Sequence, residues 1–481
     1  MSPKQTGQRV TDVAAAGKPG VAAKADAAVK PLHNFIYGAV YMPISVVLLP
    51  LAVWVPPLYG EMGISLAVVG AVILGARLSD AFTDPLIGWL SDRTRWQLGR
   101  RKPYMIIGLP LFMISVYKLF VPPADAGFGY LLLWIVLIYL AATIVDLPYL
   151  TWGAELSADY RERSKVTGVR EQFHCAGTLT ASGLPLFLRL AFGITALAAF
   201  MKVLAGVILA LMPLTILAAI LFVPERPPRE VVTKPRPKLR ESIALIRGND
   251  PFMRLVICYS VGVIGTAMTA SLSFMFVKHY IRAEAFYPVY LLLYYLSSVL
   301  GVPVWRRLGD RLGKHKAYMI SIGWYALWAS FVPFIPAGYF PLFLLVMCLK
   351  GSAIGSLLLL PYSMAADAVD LDTLQSGEER TGVYFAIWGA LRKFSYALGG
   401  FIGLTFVDFF GFDATKDPLT ADGANSSVAL VSLAILYSIV PAVIKAVAIP
   451  LMWRYPLTEE KQKEVRARLE AEIAESRAAS A

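Results

Sequence analysis

The chain is 481 residues long and carries 45 Lys and Arg against 33 Asp and Glu, so 16% is charged, where a soluble globular chain has about 25%. Apolar residues fill the deficit, 57% of the chain at a mean hydropathy of +0.60. That is more than soluble cores can hide, so a soluble enzyme and a disordered chain are both excluded, while the net charge of +12 leaves nucleic-acid binding open until the charges are placed.

Residues 1–30 are rich in Ala, Lys and Gly, contain no apolar stretch, and read as a disordered tail rather than a signal peptide. Twelve apolar runs of about twenty residues, the length that crosses a bilayer core, then follow. They cover 34–57, 65–90, 103–122, 128–154, 166–187, 195–223, 251–278, 286–306, 316–336, 339–368, 382–408 and 426–453. The expected fold class is therefore an all-α membrane protein with twelve transmembrane helices. A Pro-rich joint over 224–250 divides it into six-helix units at 31–223 and 251–455. Residues 456–481 read as a C-terminal helix or tail, capped by Thr458 and carrying a thin apolar stripe of Val465, Leu469 and Ile473.

The basic residues alternate from joint to joint. Arg93, Arg95, Arg100, Arg101 and Lys102 follow the second span, Arg161, Arg163 and Lys165 the fourth, Arg226 through Arg247 the sixth, and Arg306 through Lys316 the eighth. The joints around Glu61, Asp125 and Pro336 carry no Lys or Arg. Cations near span ends stay on the cytoplasmic side, so both termini are placed inside the cell membrane. Most of the +12 is thereby topology, and with no aromatic interleaving the nucleic-acid reading lapses.

The two halves repeat. Tyr104-Met105-Ile106 returns as Tyr318-Met319-Ile320, Leu147-Pro148-Tyr149 as Leu360-Pro361-Tyr362, Thr167-Gly168-Val169 as Thr381-Gly382-Val383, and Asp92-Arg93 as Asp310-Arg311. A duplicated six-helix unit in parallel orientation is the plan of the major facilitator fold, which encloses a site near the bilayer midplane between its halves.

Ionisable groups inside spans cost about 2.5 to 3.5 kcal/mol at a helix centre and are normally kept for a task. Arg77, Asp80 and Asp84 share one face of the second span, and Thr143 and Asp146 lie one turn apart in the fourth. A hydroxyl and three carboxylates suit a small hard cation or shared protons. The competing reading is a structural Arg77–Asp80 pair, but one arginine cannot neutralise three carboxylates.

Arg77 through Gly88, Ser91-Asp92-Arg93, Gly99 through Pro103, Asp146 through Tyr149, Pro361 through Asp367 with Asp370, and Gly382 through Lys393 together resemble the glycoside-pentoside-hexuronide:cation symporter family, over nearly the whole chain. The resemblance implies a cation site, Na⁺ or H⁺, at Asp80, Asp84, Thr143 and Asp146, and substrate contacts at Asp146, Arg170 and Lys393. Ser45 stands where the family's sugar-binding aspartate is expected, and Leu150 where the melibiose carrier has tryptophan. The galactoside half of the signature is thus altered and the cation half intact. Animal lysolipid carriers share the Asp-x-x-x-Asp-Pro element, so an amphipathic lipid is the alternative substrate.

The internal repeat adds an asymmetry. The second-half counterparts of Asp80, Asp84 and Asp146 are Tyr294, Ser298 and Leu359 or Leu360, none of which is charged at neutral pH. The cation is therefore expected in the first half alone, with substrate spanning both halves through Tyr149, Arg170, Tyr384, Trp388 and Lys393. Arg392 and Lys393 are about 100° apart on their helix, so one of them is expected to face the cavity, and the resemblance favours Lys393. Asp92, Arg93, Arg100, Arg101, Asp310 and Arg311 are candidate gating residues that join the halves when the inner side closes, or else groups that only set orientation.

The four histidines are isolated, the cysteines Cys175, Cys258 and Cys348 form no framework, and no phosphate loop is present, which sets aside histidine-box enzymes, metal clusters and ATP-driven transport. The expected protein is a monomeric, cation-coupled carrier in the cell (inner) membrane, in contact with lipid. It needs no cofactor beyond the coupling ion and moves a small molecule, a sugar, glycoside or uronide, by alternating access. It is not an enzyme; a membrane sensor or scaffold that binds without translocating is the lesser alternative.

Overall fold

The computed structural model describes residues 29–94, 96–156, 160–225, 247–376, 380–419, 424–458, 460–465, 467–468 and 471. The tail expected over 1–30, the linker over 224–250 and the terminal helix over 456–481 lie largely outside the described residues.

Among the described residues twelve long helices run in chain order: α1 (Pro31–Val53), α2 (Leu66–Arg93), α3 (Lys102–Phe120), α4 (Phe128–Glu155), α5 (Tyr160–Phe192), α6 (Leu197–Phe222), α7 (Asp250–Tyr280), α8 (Tyr287–Leu312), α9 (Lys314–Phe334), α10 (Phe340–Ser376), α11 (Thr381–Phe409) and α12 (Ser427–Trp453). Eleven are long and apolar enough to cross a membrane, and α11 differs because Arg392 and Lys393 sit at its middle. Pro85 in α2 and Pro148 in α4 remove N–H donors one turn from Ala81 and Ile144 within helices that run on unbroken, whereas α1 turns at Val40 and α10 at Ser352 and Ala353. Irregular backbone of this kind is tolerated at membrane depth where protein or a cavity surrounds it.

The first six helices pack as one bundle and the last six as another, joined through α2 against α11, α5 against α8 and α1 against α7. Gly70 makes the α2–α11 approach possible, since a Cβ there would stand 3.1 Å from the Phe401 Cα. At this end of the bundle, where the joints are poor in Lys and Arg, further contacts cross between the halves. Trp54 meets Tyr287 and Phe274 edge-on or tilted at 4.9 and 5.5 Å, and Lys278 of α7 pairs with Glu61. The N-terminus of α2 has no side-chain cap of its own. Instead Asp408, at the far end of α11, accepts the Leu66 N–H at 3.2 Å and the Ser65 hydroxyl at 3.0 Å, so a helix in one half is capped from the other.

At the opposite, basic end the described bonds stay within each half. Arg101 is buried and donates to Asp92 at 2.6 Å, Glu155 at 2.8 Å and Ser91 at 2.7 Å, while Lys102 donates to the Ile220 carbonyl at 2.8 Å. In the other half Lys314 pairs with Asp367 at 2.6 Å, and Asn249 caps α7 through the Phe252 N–H while donating to the Ala368 carbonyl.

Because the α2 cap crosses the interface, its loss falls on the contact between the halves. Asp408→Ala should destabilise the protein by about 1 kcal/mol in thermal unfolding and lengthen the electron-spin distance between labels at Met62 and Phe410. An unchanged distance would restrict Asp408 to a local role.

Candidate functional site

Asp80 and Asp84 lie one turn apart on α2, beside Pro85 and facing α4 and α11. Asp84 Oδ1 accepts the Thr143 hydroxyl of α4 at 2.9 Å, and its Oδ2 accepts the Lys393 ammonium of α11 at 2.7 Å. Lys393 stands 3.7 Å from Asp80 Oδ2, which also accepts Arg77 at 3.1 Å. Arg77 in turn lies 3.9 Å over the Tyr139 ring. The Arg77–Asp80 pair is real, and the second cation comes from the other half of the protein.

Lys393, for which the family resemblance implies substrate contact, is engaged within the protein in this conformation. Its ammonium is bound to the carboxylates expected to hold the coupling ion and sits at the spot a small cation would favour. Among the described residues no three His, Cys, Asp or Glu side chains stand close enough to hold a metal ion. Even so, Asp80 Oδ1 and Asp146 Oδ1 are buried without a hydrogen-bond partner. Buried carboxylate oxygens left unmatched are costly, and a cation would satisfy them.

Asp146 lies within electrostatic reach of Lys393, Arg170, Arg392 and Asp84. Arg170 donates to Glu171 at 2.6 Å, lies 5.4 Å over the Tyr41 ring, and leaves its Nε buried without a partner. Tyr149 is buried in a reciprocal pair with Tyr37: the rings stack at 4.5 Å and each hydroxyl donates to the other residue's carbonyl, at 2.9 and 3.1 Å. Trp388 is buried and stacked on Tyr259 at 4.4 Å. Tyr384 points away from Lys393, toward Asn249 at 3.3 Å near the basic end. The structure thus gathers Asp80, Asp84, Thr143 and Lys393 directly, sets Asp146 and Arg170 beside them, and leaves Tyr149 and Tyr384 in packing contacts.

Of the gating candidates, Asp92, Arg100 and Arg101 form a network with Glu155 inside the first half, with Arg100 at 3.1 Å from Glu155. Burial opposes the Arg101 charge, but the hydrogen bonds and charges of Glu155 and Asp92 outweigh it and hold its pKa above the ordinary arginine value. Arg93 lies 4.0 Å over Trp89. Asp310 is exposed and 4.0 Å from Arg306 on its own helix, and no cross-half bond is described for Arg311. In this conformation the bonds described for Asp92, Arg100, Arg101 and Asp310 lie within their own halves and not across the joint.

Sequence reasoning missed three features. Arg392 and Lys393 both face charged groups, Lys393 on Asp84 and Arg392 within electrostatic reach of Asp146. Asp408 ends the eleventh apolar run without any local signal of a role, and only the tertiary fold brings it to α2. Lys350 and Lys445 are fully buried around the Tyr325 ring, at 4.9 and 4.5 Å from its centroid, and Lys445 also donates to Thr266 at 2.6 Å. Their spacing of ninety-odd residues carries no local signal.

Two six-helix bundles around a mid-membrane cluster of paired charges define a transporter of the major facilitator class. The model of the family described as MFS/sugar transport protein matches residues 36–459, and the chain belongs to that family. It is similar to a protein of Escherichia coli (strain K12) provisionally named glycoside/cation symporter YagG, with 25% identity over 405 residues, 83% of this chain and 86% of the relative. It is also similar to the sodium-dependent lysophosphatidylcholine symporter 1-A of Danio rerio, with 22% identity, covering 82% of this chain and 79% of that one. Among solved structures the nucleoside transporter NupG shares the fold, with a TM-score of 0.62 at 16% identity, over 88% of this chain and all of that one.

The Asp84–Lys393 pair is about one-third exposed on each side, so it is screened but still directional. A double-mutant cycle of Asp84→Asn and Lys393→Met in thermal unfolding should return a coupling of about 1 kcal/mol. Additive single effects would show that the contact contributes nothing.

Proposed function

We propose that this protein is a secondary active carrier that couples the movement of a sugar, glycoside or uronide to a cation, Na⁺ or H⁺, by alternating access. The observation that carries the reading is the Lys393 ammonium on Asp84, with unpartnered buried oxygens on Asp80 and Asp146 beside it. A cation entering between Asp80, Asp84 and Thr143 competes with Lys393 for Asp84 Oδ2 and takes up the idle oxygens. Displaced Lys393 then leaves the only described α2–α11 ion pair at mid-membrane, and Asp146, drawn toward the new charge, becomes ordered for substrate. Binding and coupling are reciprocal: if cation tightens substrate, substrate tightens cation by the same factor.

The basic end is the cytoplasmic side by the distribution of Lys and Arg, so both termini lie inside a cell membrane, the inner membrane of a bacterium. On that assignment the conformation is inward-open. The outer end is held by Gly70, Trp54, Lys278–Glu61 and the Asp408 cap, while the inner ion pairs stay within each half. Asp92, Arg100 and Arg101 then keep the inner loop of the first half rigid as the halves rock. The altered positions Ser45 and Leu150, with the lysolipid symporter among the relatives, support a second reading in which an amphipathic lysolipid is the cargo.

The deciding measurement is uptake into proteoliposomes of a glycoside, uronide and lysolipid panel under separately imposed Na⁺ and pH gradients. Accumulation driven by one gradient identifies the ion, and none for any member would sink symport of these substrates. Asp84→Asn should abolish gradient-driven accumulation and retain downhill exchange. Loss of substrate binding at undiminished cation binding would contradict the assignment of Asp84.

A further inference from the structure

Lys393 is engaged by the α2 carboxylates in this conformation, whereas its neighbour on α11 is not engaged by any carboxylate among the described residues. That neighbour is Arg392. It is exposed, and among the described residues it makes no hydrogen bond and no ion pair. Its charge is felt by Tyr41 of α1, Asp146 of α4, Tyr259 of α7 and Tyr362 of α10, which places it on the axis between the halves rather than toward lipid. One helical turn before it, Trp388 stacks on Tyr259 and lies 5.4 Å from the partly exposed Tyr362 ring, so α11 presents an aromatic platform and a free guanidinium on the same face.

Around this face buried polar atoms wait for partners. Trp388 Nε1 and Tyr259 Oη from the second half, and Arg170 Nε and Asp146 Oδ1 from the first, are all buried without a hydrogen bond. Tyr259 Oη and Trp388 Nε1 interact weakly with each other, whereas Arg170 Nε and Asp146 Oδ1 are polar atoms that a polar ligand would satisfy. Aromatic faces with scattered donors and an acceptor suit a hydroxylated ring, and a guanidinium fork without a carboxylate suits a planar anion.

The charge balance points the same way. Asp80, Asp84, Asp146 and Glu171 are met by Arg77, Arg170, Arg392 and Lys393, so the set is neutral before anything binds. A coupling cation leaves it one positive charge in excess, which an anionic second ligand would offset.

We infer that Arg392 is the specificity-determining residue of the cavity and that it selects substrates bearing a carboxylate on a hydroxylated ring over their neutral counterparts. This rests on the symport reading for its neutrality argument, while the free guanidinium and the unpartnered atoms stand without it. A carboxylate bound bidentately by Arg392 returns the loaded site to neutrality and stacks its ring beside Tyr362.

The test is equilibrium binding to the purified full-length protein, in Na⁺ and at fixed pH, of 4-nitrophenyl β-D-glucuronide and 4-nitrophenyl β-D-glucoside, which differ only in the carboxylate. The native protein should bind the glucuronide about tenfold or more tightly than the glucoside, since charged hydrogen bonds carry about that much discrimination. In Arg392→Gln the ratio should fall to about one, and Arg392→Lys should restore part of it, with thermal unfolding confirming that each variant is folded. A native protein without the preference, including one that binds neither compound, would overturn the inference, and so would an Arg392→Gln variant that keeps it. Gradient-driven accumulation of a neutral glycoside alongside a missing preference would remove this inference and leave symport standing. A preference without any gradient-driven uptake would do the reverse.

Discussion

The structure turns on one ion pair that spans its two halves, the Lys393 ammonium on the carboxylates of Asp84 and Asp80. In a medium where uncompensated charge is expensive, three carboxylates on α2 and α4 cannot be left bare, and Arg77 matches only one of them. The second cation has to come from elsewhere, and the fold supplies it from α11. Much of the α2–α11 relation follows. Gly70 allows the helices to approach, Asp408 joins them at the end poor in Lys and Arg by capping α2, and Lys393 joins them at mid-helix. A mobile cation that takes the place of the ammonium acts on the same helix pair that holds the halves together. That is the physical requirement for coupling a binding event to a change of access.

Much of the architecture was legible in the sequence, because apolar run length and the alternation of Lys and Arg are local properties that bilayer thickness reads directly. The division into two bundles followed from repeated motifs such as Leu147-Pro148-Tyr149 and Leu360-Pro361-Tyr362. The carboxylates were legible too, since Asp80, Asp84 and Asp146 stand out against apolar neighbours. What the sequence could not reveal was pairing. Helical periodicity says that Arg392 and Lys393 point in different directions, but which of them meets Asp84 depends on the rotation and depth of α11 against α2. Those are set by packing at Gly70 and Phe401 far from either residue. The same reasoning explains Tyr149 and Tyr384. Their positions in the pattern are those of cavity residues, yet Tyr149 is fully used by Tyr37 and Tyr384 by Asn249.

The internal duplication has kept the scaffold and lost the chemistry in one copy. At the positions equivalent to Asp80, Asp84 and Asp146 the second half has Tyr294, Ser298 and Leu359 or Leu360, and Tyr294 and Ser298 are buried. A second carboxylate cluster would require a second set of cations, and the membrane gives no solvent to share the cost. The second half instead carries Arg392, Lys393 and the Tyr259–Trp388–Tyr362 aromatic group. Opposite charge is thus divided between the halves, so each stabilises the other only when they are together at mid-membrane.

This division bears on why the carrier moves with both ligands and not with one. A rocking motion carries the α2 carboxylates and the α11 cations past each other through the least polar part of the bilayer, and any net charge at that moment is penalised. With Lys393 on Asp84 the set is balanced and the halves can pass. On the proposed reading, a cation alone would displace Lys393 and leave a surplus charge that resists passage. Only a second ligand that removes the surplus restores balance, and the group placed to recognise it is the free guanidinium of Arg392, one residue away from the lysine that the cation displaced. Adjacent residues on one helix thereby answer to different ligands, and their common backbone is what links the two occupancies.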